Sequence, residues 1–207
     1  MDALNLIRTR HSCRHFSSKP VEREKVEQVV EAGRFAPSGG DNQYTHFLVI
    51  RDHAVLEKIA RVACAEFAKM EVTPTTYRSL ANCIRFSKLG KCAFHYNAPV
   101  LIVTANREGY GNAMADCACA VENMLLMANA LDLGGCYINQ LNWLRDNPVM
   151  TEYLRGLGLA EGEKVFASLV IGYADTLDGL PFRRIVSRKG NPVTWVDGNG
   201  TAGQDKP

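Results

Sequence analysis

The chain has 207 residues, of which 46% are hydrophobic and 22% are charged, and its formal net charge at pH 7 is +2. This composition is typical of one globular domain with a sizeable core, and no repeat, linker or composition break divides residues 1–207. A nucleic-acid partner normally requires a marked basic excess, which this balance of charges does not supply. We therefore expect no nucleic-acid partner and a small-molecule ligand.

The seven cysteines form no short regular framework, and the start MDALNLIRTR lacks the apolar segment of a secretion signal. We therefore expect reduced thiols and a cytoplasmic location. The longest apolar stretch, residues 113–133, contains Asp116, Glu122 and Asp132. A lipid-facing helix would not tolerate these charges, so we expect no membrane association.

In chain order, the first elements follow from hydrophobic spacing. The segment after Pro20 places valines at helical spacing and ends before Pro37, which predicts a helix. HFLVI at 46–50 predicts a strand, and residues 53–70 have the pattern of an amphipathic helix. Residues 69–97 lose this periodicity and are rich in aromatic side chains, so we expect a partly helical lid or excursion there.

The second half of the chain continues the alternation of strands and helices. PVLIVTA at 99–105 predicts a buried strand. Residues 112–135 predict a long helix that Gly134 and Gly135 close in the left-handed conformation. Because this helix is apolar nearly all round, it belongs at the domain centre or in a subunit interface. Three shorter elements complete an α+β or α/β pattern, namely a strand at 136–138, a helix after Asn147-Pro148 and a strand at 165–173.

Metal and nucleophile chemistry find little support in the sequence. Cys117 and Cys119 stand two residues apart on the predicted helix, so they point about 200° apart and cannot share an ion. The chain contains no C-x-x-C, no G-x-S-x-G and no Walker loop. We expect no bound metal and no catalytic triad, and a phosphate-bearing cofactor would have to be held by side chains.

RTRHSCRHF at 8–16 offers such side chains, because guanidinium, imidazole and hydroxyl groups lie within a few residues of one another. The segment is either a phosphate site or a solvated basic turn. APSGGDNQ at 36–43 is a turn-rich loop that either binds the edge of a ligand or forms an ordinary glycine turn. The tail adds a second cationic cluster at 183–189.

Four segments, RTRHSCRHF, APSGGDNQ, ENMLLMANALDLGGCYI and VIGYADTLDGLPFRR, resemble in this order the signature segments of FMN-dependent nitroreductases. The similarity extends over nearly the whole chain. It implies an α+β fold with a central, mostly antiparallel sheet flanked by helices. It also implies a homodimer with FMN at the interface and a C-terminal arm, residues 174–207, that is exchanged between subunits.

The resemblance also implies which residues contact the cofactor, and most of them carry polar or charged groups. The first segment would contact the phosphate, ribityl chain and pyrimidine edge, the loop would contact the flavin across the dimer, a glycine turn would lie by the ring, and the tail would supply a phosphate cation. These residues are Arg10, His11, Ser12 and Arg14, then Pro37, Ser38, Asp41 and Gln43, then Gly134 and Gly135, and finally Arg183 or Arg184. No catalytic side chain is expected, because flavin N5 carries the hydride.

The implied function is an oxidoreductase that takes hydride from NADH or NADPH and passes it to a nitroaromatic or quinone by a ping-pong mechanism. Asp41 stands where the family usually has Asn, and Tyr44-Thr45 replaces a frequent Pro-Trp, so we expect an unusual substrate side. Two alternatives share the same cofactor residues. One is a non-catalytic flavin-binding or redox-sensing protein, and the other is a relative specialised for dehalogenation, flavin cleavage or dehydrogenation.

Overall fold

A central sheet of antiparallel strands organises the protein in the computed structural model. The structure describes residues 2–91 and 94–196 and the backbone of residues 202–205. The strands of the central sheet are β1 (His46–Ile50), β2 (Val100–Arg107), β3 (Gly134–Ile138) and β4 (Glu163–Gly172). Their order is β1-β2-β4-β3, and every neighbouring pair is antiparallel. The predicted α+β class with an antiparallel sheet is therefore confirmed.

Helices flank this sheet, and a separate hairpin lies near the C-terminus. The helices are α1 (Ala3–Thr9), α2 (Arg23–Arg34), α3 (His53–Ala68), α4 (Arg78–Lys88), α5 (Ala113–Ala130), α6 (Gln140–Trp143) and α7 (Pro148–Arg155), and the hairpin strands are β5 (Val193–Val196) and β6 (Ala202–Asp205). None of the helices in the described part of the chain combines the length and apolarity needed to cross a bilayer.

The core has two layers because β2 and β4 bury both of their faces. Leu101 and Val103 of β2 pack into a cluster with side chains of α3, α4 and α7. Val100 and Ile102 point the other way and pack against α2 and α5. A strand buried on both faces reads as a continuous apolar run rather than an alternating one, as these strands do.

The long helix ends earlier than its sequence suggests. α5 ends at Ala130, and the left-handed residue that follows it is Asp132 with φ 64°. The amide of Leu133 then donates to the carbonyl of Ala128 at 2.8 Å, which closes the helix. The expectation that glycines 134 and 135 close the helix is therefore wrong, since both are buried residues of β3.

Glycine is needed at these two positions because other groups approach the strand closely. A Cβ atom on Gly134 would lie 2.6 Å from the Cβ of Cys13, and one on Gly135 would lie 2.8 Å from Cδ2 of Leu125. Both separations are far inside van der Waals contact. The two glycines thus make room for the N-terminal segment on one side and for α5 on the other.

Residues 69–97 contain α4, in keeping with the expectation of a partly helical segment. Ile84 of α4 and Phe94 are buried in the core, so the segment contributes to packing as well as forming a candidate lid. The stretch 175–192 forms no helix or strand, and Phe182 and Ile185 within it are more than half exposed. An arm of this kind has little packing of its own along most of its length.

Candidate functional site

The cationic segment, residues 8–16, runs along the edge strand β3. Ser12 forms an isolated parallel bridge with Gly135, and the amide of Cys13 donates to the carbonyl of Gly135 at 2.9 Å. The lack of a side chain at Gly134 allows this approach. The structure therefore places the first and third groups of predicted site residues next to each other.

Three polar side chains of this segment influence the thiol of Cys136 in the middle of β3. Alternate residues of an extended segment share a side, so Arg10, Ser12 and Arg14 project together. Burial raises the pKa of Cys136, while the charges of Arg14 and Arg10 and a hydrogen bond with Ser12 act to lower it. One hydroxyl and two guanidinium groups thus lie over the same part of the strand.

The two guanidinium groups retain most of their capacity to bind an anion. Nε of Arg10 lies 3.7 Å from Oε1 of Glu122, whose side chain is 52% exposed, and such a long, exposed ion pair is weak. Arg14 has no ion pair with any residue that the structure describes, and its guanidinium carbon lies 6.0 Å from the ring centroid of Tyr96. The cluster can therefore accept an anionic group.

The tail joins this cluster through His11. Nε2 of His11 donates to the carbonyl of Arg184 at 2.7 Å, and its ring packs edge-on against Phe182 at a centroid distance of 4.8 Å. The Arg184 guanidinium carbon lies 5.6 Å from the Phe182 ring and forms no ion pair within the described chain. His11 therefore holds the backbone that carries an available cation.

Arg183 has a different role from its neighbour. Nη1 of Arg183 pairs with Oδ1 of Asp132 at 2.7 Å, and its Nε and Nη2 donate to the side chain and carbonyl of Asn129. These contacts occupy its guanidinium group. Of the two tail cations that sequence left open, Arg184 is the one that remains available for a ligand.

Sequence reasoning missed Asn129, a buried amide in the last turns of α5. Its Nδ2 donates to the carbonyl of Leu6 at 3.1 Å and to the hydroxyl of Thr9 at 3.3 Å. Its Oδ1 accepts from Nε of Arg183 at 3.2 Å. Asn129 therefore joins α1, α5 and the tail. An amide within an otherwise apolar helix was the signal that could have indicated it.

The loop at 36–43 has a strained, internally hydrogen-bonded backbone. Gly40, Asp41 and Gln43 have φ values of 61°, 52° and 52°. The hydroxyl of Ser38 accepts from the Gln43 amide at 3.0 Å, and Nε2 of Gln43 donates to Oδ1 of Asp41 at 2.9 Å. Strain of this kind persists only where the surroundings hold the backbone in place.

Residues near the start of α5 hold the loop in place through hydrogen bonds to the backbone of Gly39. The amide of Gly39 donates to Oδ1 of Asp116 at 3.1 Å, and its carbonyl accepts from the Tyr110 hydroxyl at 2.9 Å and from Nδ2 of Asn42 at 2.7 Å. Sequence reasoning missed Asp116 and Tyr110 as parts of this site. No local pattern connects residues so far apart along the chain.

A cavity of about 150 Å³ lies between this loop and α5. Pro37, Ser38, Gln43 and Asp116 line it, among others. Asp116 is only 5% exposed, and its Oδ2 has no hydrogen-bond partner among the residues that the structure describes. The loop thus presents polar groups on a rigid frame beside a small cavity.

Within one chain the loop and the cationic segment stay apart. None of the hydrogen bonds or ion pairs found in the described ranges joins residues 36–43 to residues 8–16 or to the tail. The loop rests on Asp116, whereas the segment reaches α5 at Glu122, about 9 Å farther along the helix axis and on another side. The two groups therefore lie at different positions along α5.

Comparisons with known proteins bear on what this arrangement serves. The family profile described as Nitroreductase family matches residues 7–173. The chain resembles a nitroreductase with bound FMN from Bacteroides fragilis, with a TM-score of 0.82, 29% identity and coverage of 95% of this chain and 100% of that chain. A nitrobenzene nitroreductase of Ectopseudomonas oleovorans is 27% identical in an alignment 202 residues long that covers 83% of this chain and 86% of the relative. A relative from Archaeoglobus fulgidus, provisionally named an NADH dehydrogenase/NAD(P)H nitroreductase, is 27% identical over 172 residues, or 83% of this chain and 85% of that protein.

Proposed function

Because the chain belongs to the nitroreductase family, we propose that it is an FMN-dependent oxidoreductase. It would take hydride from NADH or NADPH and pass it to a small electron-poor acceptor such as a nitroaromatic or a quinone. The FMN of the Bacteroides fragilis structure and the name of the Archaeoglobus fulgidus relative support this. The observation that carries the proposal is that the segment with Arg10, Ser12 and Arg14 runs along β3, where Ser12 bridges Gly135, and that His11 of this segment holds the backbone of Arg184.

The donor groups of this cluster fit the cofactor. A phosphate monoester carries about −1.5 to −2 charges near neutral pH and accepts several charge-assisted hydrogen bonds. Arg10, Ser12 and Arg184 would hold the phosphate and ribityl chain, and His11 would position Arg184 through its carbonyl. Arg14 would lie at the pyrimidine edge of the flavin.

FMN supplies the hydride chemistry of such an enzyme through its ring. The residues of the chain would bind the ring and adjust its electrostatic environment. The guanidinium of Arg14 would stabilise negative charge at the pyrimidine edge of the bound flavin. The backbone of Gly134 and Gly135 would lie by the ring, and Pro37, Ser38 and Gln43 would contact the ring from a loop whose geometry is fixed in advance. A single pocket for both substrates gives the ping-pong order.

We propose further that the enzyme is a homodimer with two shared sites. Met114, Ala115, Cys119 and Glu122 lie on one face of α5 and are exposed, although most other residues of the helix are buried or half-buried. A second copy packed on this face, with the arm at 174–207 exchanged, would bring the loop of one subunit to the cationic segment of the other. This arrangement accounts for the separation of the two groups within one chain.

The first experiment is an absorption spectrum of the purified protein. We expect oxidised-flavin bands that bleach with NAD(P)H in the absence of air and return on addition of nitrobenzene. A colourless protein that FMN cannot reconstitute would overturn the proposal. Flavin that stays oxidised in the presence of NAD(P)H would indicate a flavin-binding or redox-sensing protein instead.

The second experiment tests the cation assignment. Arg10→Ala and Arg184→Ala should each weaken FMN binding by about 10- to 100-fold, because a hydrogen bond to a charged group contributes roughly 1.5–3 kcal/mol. Arg155→Ala removes an exposed cation from α7 and serves as the control, with affinity near that of the wild type. Fluorescence titration of the apoprotein with FMN measures all three. Unchanged affinity in both test variants would show that the phosphate lies elsewhere.

A further inference from the structure

A second cavity, of about 300 Å³, opens between α4, residues 94–96 and the start of α6. Its wall includes Asn82 and Phe86 of α4, Lys91, Tyr96 and Gln140. Sites for small molecules have volumes of roughly 300–1,000 Å³, so this cavity suits a molecule with a single ring.

The cavity adjoins the cationic cluster described above. The ring of Tyr96, which forms part of its wall, has its centroid 6.0 Å from the guanidinium carbon of Arg14. Gln140 follows the end of β3 by two residues, and β3 is the strand that the cationic segment bridges at Ser12. A molecule in the cavity would therefore lie next to a ligand bound by that cluster.

Aromatic side chains form much of the wall, and the backbone holds one of them in place. Phe86 is 54% exposed although it lies beside the cavity, and Phe94 is buried behind it. Tyr96 and Asn97 have φ values of 54° and 55°. A bulky residue rarely adopts this conformation unless its surroundings enforce it, and such strain recurs at ligand-binding segments. Exposed aromatic faces of this kind stack favourably on planar rings.

The end of α4 places a lysine at the same wall. Gly90 is left-handed with φ 67°, its amide donates to the carbonyl of Ser87 at 2.9 Å, and the amide of Lys91 donates to the carbonyl of Phe86 at 2.9 Å. This pair of bonds is a Schellman motif, which fixes the residue after the glycine beside the last turn of the helix. Lys91 and Phe86 are therefore held on the same side of the cavity.

The ammonium group of Lys91 differs from that of its neighbour on the helix. Lys88 pairs with Oε1 of Glu71 at 2.8 Å. Lys91 makes no ion pair with any residue in the described ranges, and the described wall of the cavity contains no carboxylate. An aromatic cavity with one unpaired cation favours an anionic aromatic ligand.

We propose that this cavity is the acceptor subsite, and that Lys91 selects planar aromatic acceptors that carry a carboxylate or another anionic group over neutral ones. Phe86 and Tyr96 would stack on the ring. The inference rests on the proposed function. In the reaction, one NAD(P)H and one proton reduce the nitro group to a nitroso group and water, while NAD(P)H becomes NAD(P)⁺.

The test compares 4-nitrobenzoate with nitrobenzene as acceptors for the holoenzyme at saturating NAD(P)H. We expect wild-type kcat/KM to be higher for 4-nitrobenzoate, and Lys91→Met to lower the ratio of the two kcat/KM values by about tenfold, since it keeps the apolar stem and removes the charge. Lys88→Met removes the cation paired with Glu71 and should keep the wild-type ratio. Phe86→Ala should lower kcat/KM for both acceptors.

Flavin content and bleaching by NAD(P)H are measured in the same samples. If the wild type fails to bleach, the proposed function fails and the subsite with it. If the wild type bleaches but has no preference for 4-nitrobenzoate, or Lys91→Met keeps the wild-type ratio, the subsite alone is overturned. Loss of FMN from Lys91→Met would assign the lysine to the cofactor and would likewise overturn its role in selecting acceptors.

Discussion

The carboxylate of Asp41 orients the side-chain amide of Gln43 in the loop. Oδ1 of Asp41 accepts from Nε2 of Gln43 at 2.9 Å, so the acidic group turns into the loop. The left-handed backbone at both residues keeps this pair together. If Gln43 contacts the flavin as proposed, the charge of Asp41 lies about one side chain away from the ring.

Asp41→Asn should therefore raise the two-electron potential of the bound flavin. Removing an anion stabilises a ring that gains negative charge on reduction. Two unit charges about 6 Å apart at an effective dielectric of about 20 interact by about 3 kcal/mol, and roughly 30 mV corresponds to 1.4 kcal/mol for two electrons, so we expect a shift of tens of millivolts. Potentiometric titration measures it, with the exposed Glu161→Gln as control. An unchanged potential would limit Asp41 to shaping the loop.

A methyl group at Gly134 should separate the cationic segment from β3. The added Cβ would meet the Cβ of Cys13 at 2.6 Å, and neither backbone can yield easily. We expect Gly134→Ala to lower the free energy of unfolding by roughly 1–3 kcal/mol and to weaken FMN binding. Urea unfolding and FMN titration measure the two effects. Gly111→Ala is the matched control, because its new Cβ would have no neighbour within 4 Å. Equal stability of the two variants would contradict the close approach.

At the scale of elements, Glu66 joins α3 to α7. Its Oε2 accepts from Nδ2 of Asn147 at 2.9 Å, and its Oε1 accepts from Nζ of Lys69 at 2.5 Å. Asn147 in turn caps α7, since its Oδ1 accepts from the amide of Met150 at 2.9 Å. The hydrogen bonds from Lys69 and Asn147 lower the pKa of Glu66.

This lowered pKa predicts an acid-sensitive connection between the two helices. The folded state favours the ionised carboxylate, so its contribution is complete above the ordinary pKa of about 4.3 and is lost as pH falls below that value toward the folded pKa. We expect wild type to be more stable than Glu66→Gln at pH 7, with the difference shrinking as the pH falls below about 4.3. Urea unfolding at several pH values measures it. A difference that does not change with pH would contradict the role of the ionised form.

Local patterns predicted some elements well and others poorly. The strand at 46–50 has the predicted bounds, because a run of β-formers stands between a loop and a helix cap at Asp52. The short helix α1 buries only Thr9, so its sequence has no buried apolar face from which a helix could be predicted. The glycines of β3 were assigned to a helix end because their closeness to the N-terminal segment depends on tertiary packing.

The candidate site was also predictable from the sequence only in part. Clusters of cations such as Arg10 and Arg14 stand out in a sequence, and in the structure both act on the pKa of Cys136 of β3. The choice between Arg183 and Arg184 depends on Asp132, which lies some fifty residues away along the chain. The support of the loop by Asp116 is also long-range, so composition and spacing could not reveal it.

At the scale of the whole molecule, we expect a dimer that forms through the exposed face of α5. Met114→Glu should weaken it, because the charge would be buried between subunits. Val149→Glu is the matched control, since Val149 is 48% exposed and Met114 is 49% exposed, but Val149 lies on α7. Sedimentation equilibrium measures the association, and released FMN should accompany dissociation. A wild-type monomer that retains FMN in dilute solution would contradict the shared site.

The hydrogen bonds of Asn129 couple the N-terminal helix α1 to the C-terminal tail. One buried side chain holds the carbonyl of Leu6 and the guanidinium of Arg183, so α1 and the base of the tail share a single anchor. Local unfolding of either α1 or the tail would expose part of the side-chain amide of Asn129, which is otherwise buried. A ligand that orders the tail through Arg184 should therefore slow hydrogen exchange in α1, at the opposite end of the sequence. Ligand binding at the tail and protection of α1 from local unfolding would therefore report on the same equilibrium, the opening and closing of the contacts around Asn129.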